Sequence, residues 1–220
     1  MSTRPGGRPT GRGQGSGRRR PDIVTKTLPS SGQGAQGRTR EGGLRLFFGL
    51  WPSPALAASL GALAVELSGR YGGRAVPPEN LHLTLAFLGS VPTPRVNAAV
   101  AAAMRALRTR HGAGQELFRL EEIRYWEKAG IVYAAPGLAS PRLTALVGAL
   151  EEGLREADFL LEARNFVPHV TLVRKADSAS VDAVLPREAC TDWPQNEIIL
   201  VRSTQGPRTS VYTPLARIPI

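Results

Sequence analysis

The chain has 220 residues with 28 Lys and Arg against 18 Asp and Glu, and it holds a single cysteine. That length suits one domain with a tail rather than a string of domains. Lone Cys190 excludes an internal disulfide framework and points to the cytoplasm, while no apolar run reaches the length of a membrane span or a secretory signal.

Residues 1–43 carry eleven of the 24 glycines and nine of the 28 Lys and Arg, with only Asp22 and Glu41 as acids. A segment so poor in apolar residues cannot bury enough surface to offset its ordering entropy, so a disordered basic tail is expected over 1–43 and a folded domain over 44–220. Nine basic minus two acidic residues put +7 of the net +10 on that tail. Its Gly/Arg-rich stretch offers non-specific, salt-dependent contact with nucleic-acid phosphates, the alternative being a solvated arm without a role.

From residue 44 the character changes. Residues 44–50 read as a buried strand. Ser53-Pro54, Thr93-Pro94 and Ser140-Pro141 each pair an N-cap with proline at the first helical position, predicting helices to about residues 70, 110 and 156. Further strands are expected at 74–76, 81–88, 117–126, 130–135, 169–173, 197–203 and 211–218. Basic residues before His111-Gly112 predict a helix C-cap there, which makes His111 structural. The fold class is α+β with largely antiparallel sheets.

Two of the three histidines lie in a repeated unit, His82-Leu83-Thr84-Leu85 and His169-Val170-Thr171-Leu172. In a strand, residues i and i+2 share a face, so each unit aims its imidazole and hydroxyl one way and its apolar residues the other. The units fall in similar strand–helix–strand surroundings. That repetition predicts two pseudo-symmetric lobes, helices outside, with the His/Thr faces opposed across a central cleft.

Such a pair suits acid–base chemistry at phosphorus. Imidazole exchanges a proton near neutral pH, so one histidine can take a proton from an attacking water while the other gives one to the departing oxygen. Either order is chemically allowed. Threonine hydroxyls bind non-bridging phosphate oxygens. Zinc-ligand spacings and a phosphate-loop signature are both missing, so neither a metal nor a cofactor is expected. Cys190 sits in a polar stretch with no histidine near it in sequence, which argues against a nucleophilic role.

Pro78-Glu-Asn-Leu-His-Leu-Thr-Leu-Ala-Phe-Leu-Gly89, Phe166-Val-Pro-His-Val-Thr-Leu-Val-Arg174 and the opening Arg45-Leu-Phe-Phe48 closely resemble the 2H phosphoesterase superfamily, and within it the RNA 2′,3′-cyclic phosphodiesterases also described as 2′-5′ RNA ligases. The resemblance covers residues 44–220 and leaves out the tail. It implies metal-independent hydrolysis of an RNA 2′,3′-cyclic phosphate to a 2′-phosphomonoester. It implies His82 as proton donor, His169 as proton acceptor, and Thr84, Thr171 and Arg174 as phosphate ligands. Phe48 stands between a place on the base side of the cleft and a place in the core. The implied partners are RNA with cyclic phosphate ends or small cyclic nucleotides, with a monomer as the default state. Joining of RNA ends, or binding of ends without turnover, are the alternative readings.

Overall fold

The computed structural model describes residues 43–108, 116–138, 140–162, 165–177, 191–207 and 209–220. Of the tail expected over 1–43, residues 1–42 lie outside the described residues, as do His111 and Cys190, whereas Gly43 is already the first residue of a strand, paired with Pro92. In chain order the elements are β1 (Gly43–Leu50), α1 (Pro54–Tyr71), β2 (Arg74–Ala75), β3 (Leu83–Pro92), α2 (Val96–Arg108), β4 (Glu116–Leu120), β5 (Glu122–Trp126), β6 (Ile131–Ala135), α3 (Pro141–Glu156), β7 (Val170–Arg174), β8 (Thr191–Gln195), β9 (Glu197–Gln205) and β10 (Ser210–Pro219).

Two of the three helices begin directly at the proline of their start signal. Ser53 Oγ accepts from the Leu56 amide at 3.3 Å, closing the first turn of α1. At α3 it is the Ser140 carbonyl that receives the Thr144 amide and hydroxyl, at 2.9 and 3.1 Å. The Thr93-Pro94 signal starts a single 3-10 turn, which then runs into α2. Along α1, Leu56, Leu60, Ala64, Leu67 and Tyr71 are buried at helical spacing, giving one apolar stripe.

Each of the strand pairings is antiparallel, in the order β10-β9-β1-β3-β7-β6-β5 with β2 on the outer part of β7. The two halves of this sheet, β10-β9-β1-β3 and β2-β7-β6-β5, form the two lobes. They join through one residue pair, Leu83 with Val170. Helix α1 lies against β2 and β7, α3 lies against β3, and α2 packs on α3, so each lobe is covered on its outer side. The sheet's apolar faces and these helices share one core.

The expected strand over 117–126 is two strands. Glu121 leaves the ladder, its amide donating to the Ala135 carbonyl and its carboxylate accepting from the Gly137 amide, both at 2.9 Å. Strand β4 thereby pairs with β8 in a separate two-stranded sheet, while β5 pairs with β6. Strand β8 was not expected from its Pro194-bearing, polar sequence. Burial of Trp193 against Phe118, ring centroids 4.9 Å apart, holds it in place.

The motif strands depart from plain alternation in the same way. Along β3, Thr84, Phe87 and Ser90 stand opposite Gly49, Phe47 and Arg45 of β1, so every third residue of β3 meets every second residue of β1. Along β7, Thr171 and Arg174 stand opposite Tyr133 and Ile131 of β6 with the same stretch. An extra residue in each step is a β-bulge, and it turns the position three after threonine onto the threonine's own face. Arg174 reaches the cleft for this reason. Strict alternation would send it to the other side of the sheet.

The turn after Arg174 is gripped by the backbone of two glycines. Gly73 and Gly130 have φ of +83° and +59°, a region that disfavours side chains. A Cβ added at Gly73 would lie 2.6 Å from the Arg174 carbonyl oxygen and 2.7 Å from the Ala176 amide. Gly73→Ala is therefore expected to destabilise the fold by about 2–4 kcal/mol. Gly148→Ala, on an open helix position with nothing near the new Cβ, is expected to stabilise it by about 0.5–1 kcal/mol. Urea unfolding of both variants measures the contrast, and equal midpoints would refute it.

Candidate active site

The register across the lobe junction sets the site. Leu83 pairs with Val170 in antiparallel sense, so His82 comes level with Thr171 and Thr84 with His169. Pseudo-two-fold symmetry thus puts one histidine and one threonine from different lobes at each end of the junction. Leu81, Leu83, Val170 and Leu172 are buried on the opposite face, which anchors the half-buried His and Thr side chains.

Each imidazole is oriented by its own chain two residues back. His82 Nδ1 lies 2.7 Å from the Asn80 carbonyl, and His169 Nδ1 lies 2.9 Å from the Val167 carbonyl. A carbonyl oxygen only accepts, so Nδ1 carries the hydrogen in both rings and Nε2 is left to exchange a proton. The rings are walled by aromatics. Trp51 stacks on His82 at 4.9 Å between centroids and 13° between planes, with Tyr212 edge-on at 5.0 Å and Phe47 at 5.0 Å. Trp126 and Tyr133 meet His169 edge-on at 4.6 and 5.7 Å.

These walls remove water, and burial disfavours the imidazolium. Burial pushes His82 down from 6.5 to about 4; the Asn80 hydrogen bond works against the shift, and the charges of Arg174 and His169 add to it. His169 is lowered likewise, by burial first and by Arg174 last, against the Val167 hydrogen bond. Both values lie below 6.5, which leaves both rings neutral at pH 7. Burial also raises the Tyr133 phenol, which stays protonated.

His82, Thr84, His169, Thr171 and Arg174 all line one small pocket of about 80 Å³. It opens into a cleft of about 1030 Å³ that includes His82, Thr84 and Arg174 but neither His169 nor Thr171. Phe48 is fully buried in the core, whereas its neighbour Phe47 faces the cleft beside His82. The order of β1 carries that signal: Leu44, Leu46, Phe48 and Leu50 alternate with Arg45, Phe47, Gly49 and Trp51. Among the described residues, no three His, Cys, Asp or Glu side chains gather to hold a metal ion. No described helix is long and apolar enough to cross a membrane.

A family model described as the 2′-5′ RNA ligase superfamily matches residues 52–202. The chain belongs to this superfamily. An RNA 2′,3′-cyclic phosphodiesterase of Thermus thermophilus is 30% identical over 190 residues, 79% of this chain and 89% of that protein. A protein of the same name from Escherichia coli is 28% identical over 145 residues, 66% of this chain and 78% of its own length. The crystal structure of E. coli LigT complexed with 3′-AMP matches with a TM-score of 0.69 at 26% identity, covering 81% of this chain and 98% of that one.

In this superfamily member, sequence reasoning passed over Asn80. It is a polar residue 8% exposed. Its side-chain amide donates to the Ser210 carbonyl at 2.9 Å and to the Thr209 hydroxyl at 3.3 Å, while its own carbonyl holds His82. The preceding Glu79 carbonyl accepts from Trp51 Nε1 at 3.3 Å. One short segment therefore fixes the ring, its stacking partner and the start of β10. Its signal in the sequence is a polar residue inside an apolar motif, which on the rule that buried polar groups are paired calls for a partner.

The His82 ring resonance is expected to titrate with a midpoint near 4, and to move upward when inorganic phosphate fills the pocket, because a neighbouring anion favours the cation. The sign for stability follows. A folded value below the ordinary 6.5 means that the stabilising contribution of neutral His82 is complete above that pH and is lost as pH falls through about 4. NMR titration, assigned with His82→Ala, tests this; a midpoint at or above 6.5 in the free protein contradicts it.

Proposed function

We propose that the chain hydrolyses the 2′,3′-cyclic phosphate at an RNA end to a 2′-phosphomonoester without a metal. His82 is the proton donor and His169 the proton acceptor, with Thr84, Thr171 and Arg174 on the phosphate oxygens. The observation that carries this reading is the one-sided opening of the pocket. The cleft continues from His82 and Thr84, away from His169 and Thr171. A nucleoside needs the larger space, so its ribose, and with it the departing 3′ oxygen, lies on the His82 side of phosphorus. Water is left to approach from the His169 side.

The step balances as follows. Nε2 of neutral His169 takes a proton from water as its oxygen bonds to phosphorus. The P–O3′ bond breaks, and the 3′ oxygen receives a proton from Nε2 of His82. The 2′ oxygen keeps the phosphate. His82 must be cationic at that moment, although burial keeps it neutral in the empty pocket. The phosphate's negative charge in a water-poor site supplies the compensation, so substrate binding and protonation of His82 are linked. Thr84, Thr171 and Arg174 then stabilise charge on the equatorial oxygens.

With a 5′-hydroxyl in place of water the same steps form a 2′-5′ linkage, which is the activity in the superfamily's name. The site is assembled by one chain, in keeping with action as a monomer. A single cysteine suits the reducing cytoplasm.

With EDTA present, the purified protein is expected to convert a short RNA ending in a 2′,3′-cyclic phosphate to the 2′-phosphate. His82→Ala and His169→Ala should each lower kcat by about 10²–10⁴-fold with unfolding midpoints above working temperature. Substantial turnover by His169→Ala, or a 3′-phosphate product, would overturn the assignment of roles.

A further inference from the structure

Beyond the catalytic pocket, the cleft contains charges that the hydrolysis of a cyclic phosphate does not use. Its volume of about 1030 Å³ stands at the upper end of the ~300–1,000 Å³ typical of small-ligand sites. Its charged lining is Arg45, Arg74 and Arg174, with no carboxylate among the described lining residues. Only Arg174 also lines the small pocket.

Arg74 and Arg174 face each other directly in the β2–β7 ladder. Like charges so placed repel, and anions bound beside them relieve that cost. Arg45 lies on the other lobe, held by the bulge of β3, with its guanidinium carbon 4.6 Å from the centre of the Phe87 ring. A cation over an aromatic face keeps its donors free at the edge. Among the described residues neither Arg45 nor Arg74 forms an ion pair with a carboxylate. Two guanidiniums thus reach into one cleft from opposite lobes, outside the pocket that takes the reacting phosphate.

We infer that Arg45 and Arg74 form a second phosphate subsite, which binds the phosphodiester on the 5′ side of the terminal nucleoside. This rests on the phosphodiesterase reading and sharpens it. The preferred substrate is then an oligoribonucleotide end over a free nucleoside 2′,3′-cyclic phosphate. The terminal nucleoside spans the distance between the two phosphates. Phe47 and Phe87 line the wall beside it, and Ser203 and Gln205 supply uncharged polar groups on β9. Arg174 stands between the subsites and serves the reacting phosphate.

The test compares adenosine 2′,3′-cyclic phosphate with the dinucleotide ApA ending in the same cyclic phosphate. The wild-type protein should favour the dinucleotide in kcat/KM by about tenfold or more, the worth of charge-assisted contacts to one phosphate. Arg45→Ala and Arg74→Ala should each cut that preference several-fold, through KM. Each should also flatten the fall of log kcat/KM with log salt, which is about 0.7 per single-strand phosphate contact. Equal kcat/KM for the two substrates in the wild type would overturn the subsite, as would variants that slow both substrates alike. Turnover of neither substrate by the wild type would sink the phosphodiesterase reading itself, a different result from turnover without preference.

Discussion

The site depends on one irregularity made twice. A strand in strict alternation can show a histidine and the threonine two residues on, but it hides the residue three beyond that threonine. The extra residue in β3 and in β7 brings that third position round. Each lobe then presents a row of three side chains on one face, His82-Thr84-Phe87 lining the cleft and His169-Thr171-Arg174 lining the small pocket. The rows are antiparallel because the lobes meet at Leu83 and Val170. A histidine from one lobe consequently stands level with a threonine from the other. The grip of Gly73 and Gly130 on the turn after Arg174 secures the end of the second row.

Burial then sets the chemistry of these rows. Aromatic rings around each histidine disfavour its charged form more than the carbonyl at Nδ1 favours it. Arg174 acts in the same direction on both. The described pocket lining carries no carboxylate and holds two neutral imidazoles beside a guanidinium. On the proposed reading an incoming phosphate supplies negative charge, and in a low-dielectric pocket it acts strongly on the nearest ring. A neutral competitor of the same shape would not protonate either histidine. Discrimination for an anion and readiness for acid catalysis are two results of one desolvation.

Much of this was legible in the chain. The repeated His-x-Thr units named four of the five expected site residues directly, because a period of two is local and each unit lies in an apolar run. The Ser53-Pro54 and Ser140-Pro141 starts lie where α1 and α3 begin, for the equally local reason that proline suits the first helical position, with a side-chain cap at Ser53 alone. Arg174 is different: the likeness to a known family supplied it, since alternation places it on the wrong face. What escaped was non-local. Strand β8 exists because Trp193 is buried against Phe118, seventy-five positions earlier, and its own sequence argues against a strand. Asn80 escaped because its partners, Thr209 and Ser210, are distant in the chain. The doubt over Phe48 was resolvable from β1 alone, since Leu44, Leu46 and Leu50 mark the even positions as the core face while Arg45 marks the odd ones.

The lobes have the same backbone plan, and their difference is what gives the cleft a direction. At the third position of the row the first lobe carries Phe87 and the second Arg174. The aromatic side faces the large cleft, whose charged lining is cationic, while Arg174 lines both that cleft and the small pocket. A fully symmetric pair of lobes would accept a cyclic phosphate in either of two orientations, and each histidine would spend half its encounters facing the wrong oxygen. A ribose attached on one side only removes that ambiguity where only one side has room for it. Asymmetry at a single bulged position, together with the open space beside His82, is sufficient to separate the proposed acid from the proposed base.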